Sequence, residues 1–277
     1  MKKLLLFTVF CCGLLIADAQ TIKTPSPSTT QVVKQEFGLS SIELSYSRPN
    51  MKGRKIFGDL VPYNAVWRTG ANSATTLTFG DEVTIGGTKV PAGKYGLLTI
   101  PGATEWTIII TKQTDVTSPA SYKADQDVVR IKAKAETMPF AIESFTMMFN
   151  DLKSNSTNLL LLWDKTAVVL PITTDIDSKI MAQINDAMTK DNKPYFQSAM
   201  YYMESGKDLN KANEWFDKAI VQNPEGFWIY HQKANCLAKL GKKPEAIAAA
   251  NKSIEMAKVA KNDDYVALNN KLLATLK

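Results

Sequence analysis

Hydrophobic and polar residues alternate along the first part of the chain. Ile42, Leu44 and Tyr46 are separated by polar residues, and the same period of two recurs in residues 106–111 and 145–149. This alternation is typical of strands that bury one face. Because many such runs follow closely, with no helical period between them, they predict an antiparallel β-sandwich over residues 32–174.

Turn signals separate the predicted strands. Gly86 and Gly87 lie between two short β-prone runs in VTIGGTKV, and they predict a two-residue hairpin because glycine tolerates a positive φ. Pro91 and Gly93 predict a second corner. The run LLLLWDKTAVVLPI predicts a further hairpin that turns near Asp164.

The period changes to 3.6 residues after the last predicted strand. Runs such as EWFDKAIVQNP, KPEAIAAANKSIEMA and ALNNKLLATLK carry apolar residues at helical spacing, so residues 175–277 are predicted to be all-α. The predicted fold class is α+β by segregated domains, with an N-terminal antiparallel β-sandwich followed by C-terminal helical hairpins.

The N-terminus has the pattern of a secretory signal peptide. Two lysines precede an apolar run over residues 4–16, and Ala17-Asp18-Ala19 then supplies the small residues at which signal peptidase cleaves. We predict a signal peptide over residues 1–19, cleavage before Gln20, and an extended leader over residues 20–31. We therefore expect export to the periplasm or the extracellular space, without a transmembrane segment, since no later run reaches roughly 18 apolar residues.

The net charge disfavours one class of partner, and the cysteine content excludes one kind of covalent cross-link. The net charge of +6 is spread along the chain rather than gathered into a basic run, so nucleic acid is not expected as a partner. Cys11 and Cys12 lie in the predicted signal peptide, which leaves Cys236 alone and excludes an internal disulfide. A lipid anchor on Cys11 or Cys12 is an alternative, which the bulky Phe10 before Cys11 disfavours.

Catalytic groups are scarce in the predicted β-sandwich. His231 is the only histidine and lies outside it, which excludes histidine-dependent nucleophiles and histidine metal sites there. Acidic residues are present, but they do not project together from one strand as in a sandwich glycosidase. We predict no catalytic residue, no metal and no cofactor, and the alternative of a histidine-independent carboxylate hydrolase acting on glycans stays open.

The segment WRTGAN, residues 67–72, and its surroundings carry the side chains best suited to binding. Aromatic rings stack on a sugar or an aromatic ligand, guanidinium and ammonium groups bind carboxylate or phosphate, and a carboxamide offers both donor and acceptor. The candidate ligand-binding residues are Tyr63, Trp67, Arg68, Asn72, Arg54 and Lys55.

The same segment also fits a purely structural role, which is the preferred interpretation. Trp67 would anchor the core, and Arg68 would bond backbone carbonyls. Gly70 would take a positive φ, and Asn72 would bond its own turn. Because side chains alternate along a strand, we expect Trp67 and Arg68 on opposite faces, which disfavours one joint site.

The helical part contains an internal repeat. Ala212, Phe216 and Ala219 have the small-aromatic-small spacing of a repeat's second helix, and Ala246 follows Ala212 by 34 residues. This part resembles the tetratricopeptide-repeat family. The resemblance implies two repeat units and a closing helix.

A tetratricopeptide-repeat fold implies a peptide groove lined by the first helix of each unit. The candidate groove residues are Trp228, His231, Asn235 and Lys239. With only two units, packing or self-association is the preferred alternative, and His231 is then expected at a surface or an interface.

The motifs GRKIFG, VPY, VWRTGAN, VPAGKY, TIPG and EWTIII follow one another in residues 53–110. In this order they resemble DUF2911, a family of exported bacterial proteins of unknown function, and the resemblance extends through LLLLWDKTAVVLPI. It implies a β-sandwich with a helical extension and supplies no activity. One departure lies at residues 117–124, TSPASYKA, where an aromatic-rich loop is expected.

The preferred hypothesis is an exported, non-catalytic binding protein of the bacterial envelope. The sandwich would recognise a glycan, a peptide or a protein, and the helical part would mediate assembly with a protein partner or a second copy of the chain.

Overall fold

The computed structural model describes residues 24–276, and the predicted signal peptide lies outside the described residues. The chain divides into two compact units, with the boundary between Asp175 and Ile176. The first unit is an antiparallel β-structure and the second is helical, which confirms the predicted fold class. Within residues 24–276, no helix has the length and apolar character needed to cross a lipid bilayer.

Nine strands follow the order β1-β2-β3-β6-β7-β8-β9-β4-β5, and every pair between neighbours is antiparallel. Strand β8 belongs to both layers, because residues 127–134 pair with β7 and residues 135–150 pair with β9. The sheet therefore folds over on itself, as expected for a sandwich whose strands change layer. The strands are β1 Thr29–Phe37, β2 Ser40–Arg48, β3 Thr76–Phe79, β4 Val83–Ile85, β5 Thr88–Val90, β6 Gly93–Ile100, β7 Glu105–Thr111, β8 Asp127–Asn150 and β9 Ser156–Thr173.

Alternate side chains of the two layers meet in one hydrophobic core. Leu44, Leu97 and Ile108 from one layer are buried in the same cluster as Leu161 and Trp163 from the other. Burial of these apolar faces is the main stabilising contribution, at roughly 1.5–3 kcal/mol for each large side chain. The period of two in the sequence thus identified the inward-facing positions of these strands.

Strand β1 begins earlier than the hydrophobic pattern indicates. Thr29, Thr30 and Gln31, which the sequence assigns to the extended leader, pair with β2. The Tyr46 hydroxyl donates to Gln31 Oε1 over 3.0 Å, and the hydroxyls of Thr30 and Ser47 lie 3.1 Å apart. Polar cross-strand pairs therefore extend the strand beyond its apolar portion.

One predicted turn is confirmed and another is wrong. Gly86 and Gly87 join β4 to β5 with φ values of 56° and 79°, as the predicted two-residue hairpin requires. The hairpin expected near Asp164 does not form, because β9 runs through this position without a break. Asp164 instead has a φ of 49°, and the pairing register shifts on both sides of its partner Ile142, between Thr137 and Ile142 and between Ile142 and Thr146. A bulge, with the extra residues in β8, bends the pair where the sequence suggested a reversal.

The second unit contains six helices among the described residues. Helices α2 with α3 and α4 with α5 form the two predicted hairpins, α6 closes the second, and α1 precedes the first. Ala212, Ala234, Ala246 and Ala250 are fully buried, which fits the expectation that small residues lie where helices approach closely. The helices are α1 Asp177–Ala187, α2 Tyr195–Glu204, α3 Leu209–Gln222, α4 Phe227–Lys239, α5 Lys243–Val259 and α6 Asp263–Thr275.

Candidate functional site

A cavity of about 380 Å³ lies in the β-unit beside the WRTGAN segment. Its walls combine apolar side chains, including Leu60, Val66 and Trp163, with the side chains of two arginines. Its volume lies within the range of small-molecule sites, and its lining has the mostly apolar walls with few polar groups that are typical of such sites. Three of the candidate ligand-binding residues, Arg54, Trp67 and Arg68, line this cavity.

The backbone of WRTGAN pairs with a neighbouring strand at Trp67 and turns just after Arg68. Trp67 forms only an isolated bridge with Thr99, and the chain then turns at Thr69, Gly70 and Asn72, whose φ values are 57°, 154° and 56°. Both residues line the cavity, but Trp67 packs into the sandwich core whereas Arg68 extends to the Thr117 carbonyl, as expected for neighbours whose side chains point to opposite sides. The positive φ predicted for Gly70 is confirmed.

Hydrogen bonds between threonines hold this corner. Thr69 Oγ1 lies 3.0 Å from Thr99 Oγ1, and the Thr75 hydroxyl donates to the Thr69 carbonyl over 2.7 Å. A Cβ at Gly70 would lie 3.0 Å from the Ser47 carbonyl oxygen, so a larger residue would strain the corner. The backbone next to the cavity is therefore fixed before any ligand binds.

Trp67 is a core anchor as well as a wall of the cavity. Its ring stacks on Trp163 at a centroid distance of 5.8 Å, and Phe57, Trp106 and Phe145 meet it edge-on or tilted at 5.1 to 6.3 Å. Its indole N–H donates to the Gly70 carbonyl over 3.2 Å. Since its faces are already in contact with other rings, Trp67 contributes shape to the cavity rather than a free surface for a sugar.

Arg68 carries the unsatisfied group of the cavity. Its Nη1 donates to the Thr117 carbonyl, whereas its Nε is buried and has no hydrogen-bond partner among the described residues. A guanidinium has five N–H donors in a fixed planar arrangement, and a buried donor without a partner costs about 1–3 kcal/mol. Among the described residues Arg68 also has no carboxylate partner.

Arg54 places a second guanidinium at the cavity. Its Nε and Nη2 donate to the carbonyls of Met51 and Asn50 over 2.9 and 2.6 Å, which fixes the side chain against its own loop. No acidic residue is among those described that line the cavity, so both of its charged groups are positive. The site is thus electrostatically suited to an anion.

The loop over residues 117–124, where the chain departs from the expected aromatic-rich pattern, contributes to the cavity through Thr117 and Pro119. Tyr122 anchors this loop, because its hydroxyl donates to Asp127 Oδ2 over 2.5 Å. Burial, together with this hydrogen bond to a carboxylate, raises the pKa of Tyr122 to about 12. The tyrosine therefore stays neutral and keeps donating across the ordinary pH range.

The other candidates in the β-unit lie outside the cavity. Tyr63 is 40% exposed and its ring packs beside Gly58, and Lys55 is exposed. Asn72 was expected to bond its own turn, which is wrong, since its Nδ2 donates to the Ser28 carbonyl over 2.9 Å and ties the corner to the chain before β1. Sequence reasoning missed Trp163, Leu60 and Thr117.

The four groove candidates on α4 do not form one surface. His231 was expected at a surface or an interface, but it is 7% exposed, because α6 covers it. Its Nδ1 lies 2.8 Å from Asn269 Oδ1, and its Nε2 lies 3.1 Å from the Nδ2 of Asn235. Trp228 lines a separate cavity with residues of α2 and α3, and Lys239 is exposed, with its ammonium 3.4 Å from the Met203 carbonyl.

Comparison with known families agrees with these units. A family model described as "Protein of unknown function (DUF2911)" matches residues 28–172, more than half of the chain. The chain belongs to the DUF2911 family. In this DUF2911 protein the match covers the strands from β1 into β9, and a tetratricopeptide-repeat model matches residues 215–248, within α3 to α5. Both suspected resemblances are therefore confirmed. No curated protein and no solved structure matches the chain.

Proposed function

We propose that this DUF2911 protein is an exported, non-catalytic binding protein whose β-unit takes up a small anionic ligand with an apolar body. The observation that carries the proposal is the guanidinium of Arg68, which lines the cavity, has no carboxylate partner among the described residues and keeps its buried Nε without a hydrogen bond. A tetratricopeptide repeat suggests protein partners, so we assign association with a protein to the helical unit.

The chemistry of the cavity selects the ligand class. A carboxylate or a phosphate accepts two parallel hydrogen bonds from a guanidinium, and such charge-assisted bonds are about twice as strong as neutral ones. Arg54 adds positive charge at the same cavity, while Leu60, Val66 and Trp163 offer apolar contact. An aryl or alkyl carboxylate or phosphate satisfies both requirements, whereas a neutral sugar leaves the guanidinium of Arg68 without an anionic acceptor.

A hydrolase acting on glycans has no comparable support at this cavity. Such enzymes need two carboxyl groups on either side of the scissile bond, about 5–10 Å apart. The described residues that line the cavity include no aspartate or glutamate. We therefore propose binding without turnover.

Export rests on the signal-peptide pattern of residues 1–19. N-terminal sequencing of the protein recovered from the envelope or the culture medium tests it. We expect the mature chain to begin at Gln20, and recovery of the uncleaved chain from the cytoplasm would refute export.

Thermal unfolding in the presence of matched probes tests the ligand class. Phenyl phosphate and phenylacetate should raise the unfolding midpoint of the β-unit, and the neutral analogue phenylacetamide should not. At a concentration 100 times the dissociation constant, a ligand specific for the folded state stabilises by about 2.7 kcal/mol. Chemical analysis of the probes after incubation should find them unchanged.

Two variants make this test specific. Arg68→Met should abolish stabilisation by both anions, whereas Lys55→Met removes a neighbouring positive charge outside the cavity and should preserve it. Stabilisation by phenylacetamide equal to that by phenylacetate, or an undiminished response of Arg68→Met, would refute the proposal.

A further inference from the structure

A second groove, of about 440 Å³, lies in the helical unit between α3, α4 and α5. One face of each helix contributes: Asn213 on α3; Tyr230, Lys233 and Leu237 on α4; and Ala248 with Lys252 on α5. The positions on α4 and α5 are separated by three, four or seven residues, so each set forms a continuous stripe along its helix. We call this surface the α3–α5 groove.

Polar groups in the α3–α5 groove lack partners within the chain. Asn213 Oδ1 is buried and accepts no hydrogen bond from any described residue. Among residues 24–276, the Tyr230 hydroxyl has no hydrogen-bond partner and the Lys242 ammonium group forms no ion pair. Of these three groups only Asn213 Oδ1 is buried, whereas Tyr230 is half-buried and Lys242 is exposed, so the hydroxyl and the ammonium group are available to a polar occupant.

The charges of the α3–α5 groove are complementary to an acidic occupant. Lys233, Lys242 and Lys252 line it, opposed within the lining by Glu245 alone. Lys233 pairs with Asp217 and Lys252 pairs with Glu255, but both acidic partners are more than half exposed and do not line the groove. Exposed ion pairs contribute about 0–1 kcal/mol, so an incoming carboxylate displaces them at little cost.

We infer that the α3–α5 groove binds an extended, acidic segment of a partner protein. The inference rests on the proposed association of the helical unit with protein and names the partner's chemistry. Glutamate or aspartate side chains of the segment pair with the lysines, and the backbone of the segment follows the groove. The groove lies between α3 and α5, the second helices of the two units, and it is distinct from the first-helix face on which Trp228, His231, Asn235 and Lys239 were expected to act.

Fluorescence anisotropy tests this inference on the full mature chain. The probe is a fluorescein-labelled peptide of alternating glutamate and alanine, and the comparison peptide replaces glutamate with glutamine. We expect binding of the glutamate peptide that weakens with added salt, and at least tenfold weaker binding of the glutamine peptide.

Matched charge reversals locate the site. Lys242→Glu and Lys252→Glu should each weaken binding about tenfold, because each replaces an attractive charge with a repulsive one. Lys258→Glu makes the same change on α5 outside the groove and should leave the dissociation constant within about twofold. Circular dichroism verifies that each variant is helical.

Peptide binding at the α3–α5 groove and anion binding at the cavity of the β-unit are tested independently. Arg68→Met should bind the peptide as the unmodified chain does, so loss of anion binding and loss of peptide binding are independent results. Absence of peptide binding, or equal weakening by Lys258→Glu and Lys242→Glu, would overturn the assignment to the α3–α5 groove.

Discussion

Replacing Arg68 with methionine is expected to leave the stability of the β-unit nearly unchanged. The change removes one charge-assisted hydrogen bond, from Nη1 to the Thr117 carbonyl, which contributes about 1.5–3 kcal/mol. It also removes the buried Nε, which has no partner among the described residues and which costs about 1–3 kcal/mol while unpaired. Because these contributions have opposite signs, we expect the free energy of unfolding to change by less than about 1 kcal/mol.

Arg48 provides the matched control. Its Nε donates to the Phe145 carbonyl over 3.2 Å and its Nη2 donates to Thr146 Oγ1 over 2.9 Å, so its guanidinium bonds β2 to β8. None of its nitrogens is among the buried groups without a partner. Arg48→Met therefore loses bonds without relieving an unpaired group, and we expect it to lower the free energy of unfolding by about 1.5–3 kcal/mol.

Urea unfolding followed by tryptophan fluorescence measures both effects. Trp67, Trp106 and Trp163 lie in the β-unit, whereas Trp215 and Trp228 lie in the helical unit. Both arginine variants are therefore compared in a chain that carries Trp215→Phe and Trp228→Phe, so that fluorescence reports on the β-unit alone. A loss for Arg68→Met of about 1.5 kcal/mol or more, as large as that for Arg48→Met, would show that Arg68 holds the corner, and it would refute the assignment of Arg68 to a ligand.

Three further substitutions test the helical unit by urea unfolding followed by circular dichroism. Asp208→Ala removes the carboxylate that accepts two N–H bonds at the start of α3, and it should lower the free energy of unfolding by about 0.5–2 kcal/mol; no change would contradict the capping role. Asn269→Ala removes the partner of His231 Nδ1 and one of the two partners of the Ser253 hydroxyl, and it should lower the free energy of unfolding by about 2–4 kcal/mol; a loss below about 1 kcal/mol would contradict the importance of this buried network. A hydrogen bond from Lys207 and a smaller effect of the hydrogen bond from Tyr201 lower the pKa of Asp177. The ionised Asp177 therefore stabilises the folded chain above the ordinary carboxyl pKa, and this stabilisation is lost as the pH falls through the lowered pKa. The stability difference between the unmodified chain and Asp177→Asn should therefore shrink below about pH 4, and a difference independent of pH would contradict this linkage.

The parts of the fold that follow from local patterns were predictable from the sequence. The alternation around Leu44 and Ile108 identified buried positions, and the Gly86-Gly87 pair identified the β4–β5 hairpin, because both depend on neighbouring residues alone. The bulge at Asp164 was misread as a reversal, since it depends on extra residues in the partner strand β8. The burial of His231 likewise depends on α6, which the local pattern of α4 does not describe.

The candidate site likewise combines residues that the local sequence identified with residues that only tertiary packing brings together. The types of side chain in WRTGAN identified Trp67 and Arg68, but Trp163, Leu60 and Thr117 reach the cavity from separate parts of the chain. No spacing rule relates these residues, because tertiary packing of β9, the loop after β2 and the loop after β7 brings them together. The period-two rule anticipated that Trp67 and Arg68 point in different directions, but it does not extend to Thr69, whose positive φ ends the strand geometry.

A structural corner and a binding site are therefore compatible in this segment. The ring contacts of Trp67 and the threonine hydrogen bonds around Thr69 hold the backbone, and they do so without using the Nε of Arg68. A rigid frame reduces the ordering cost of binding, because the guanidinium lies at the cavity before an anion arrives. Holding the corner and binding the ligand then belong to different side chains. Substitution of Thr75 should therefore reduce stability, and substitution of Arg68 should reduce ligand affinity. If one substitution changed both to the same extent, the separation of roles would be wrong.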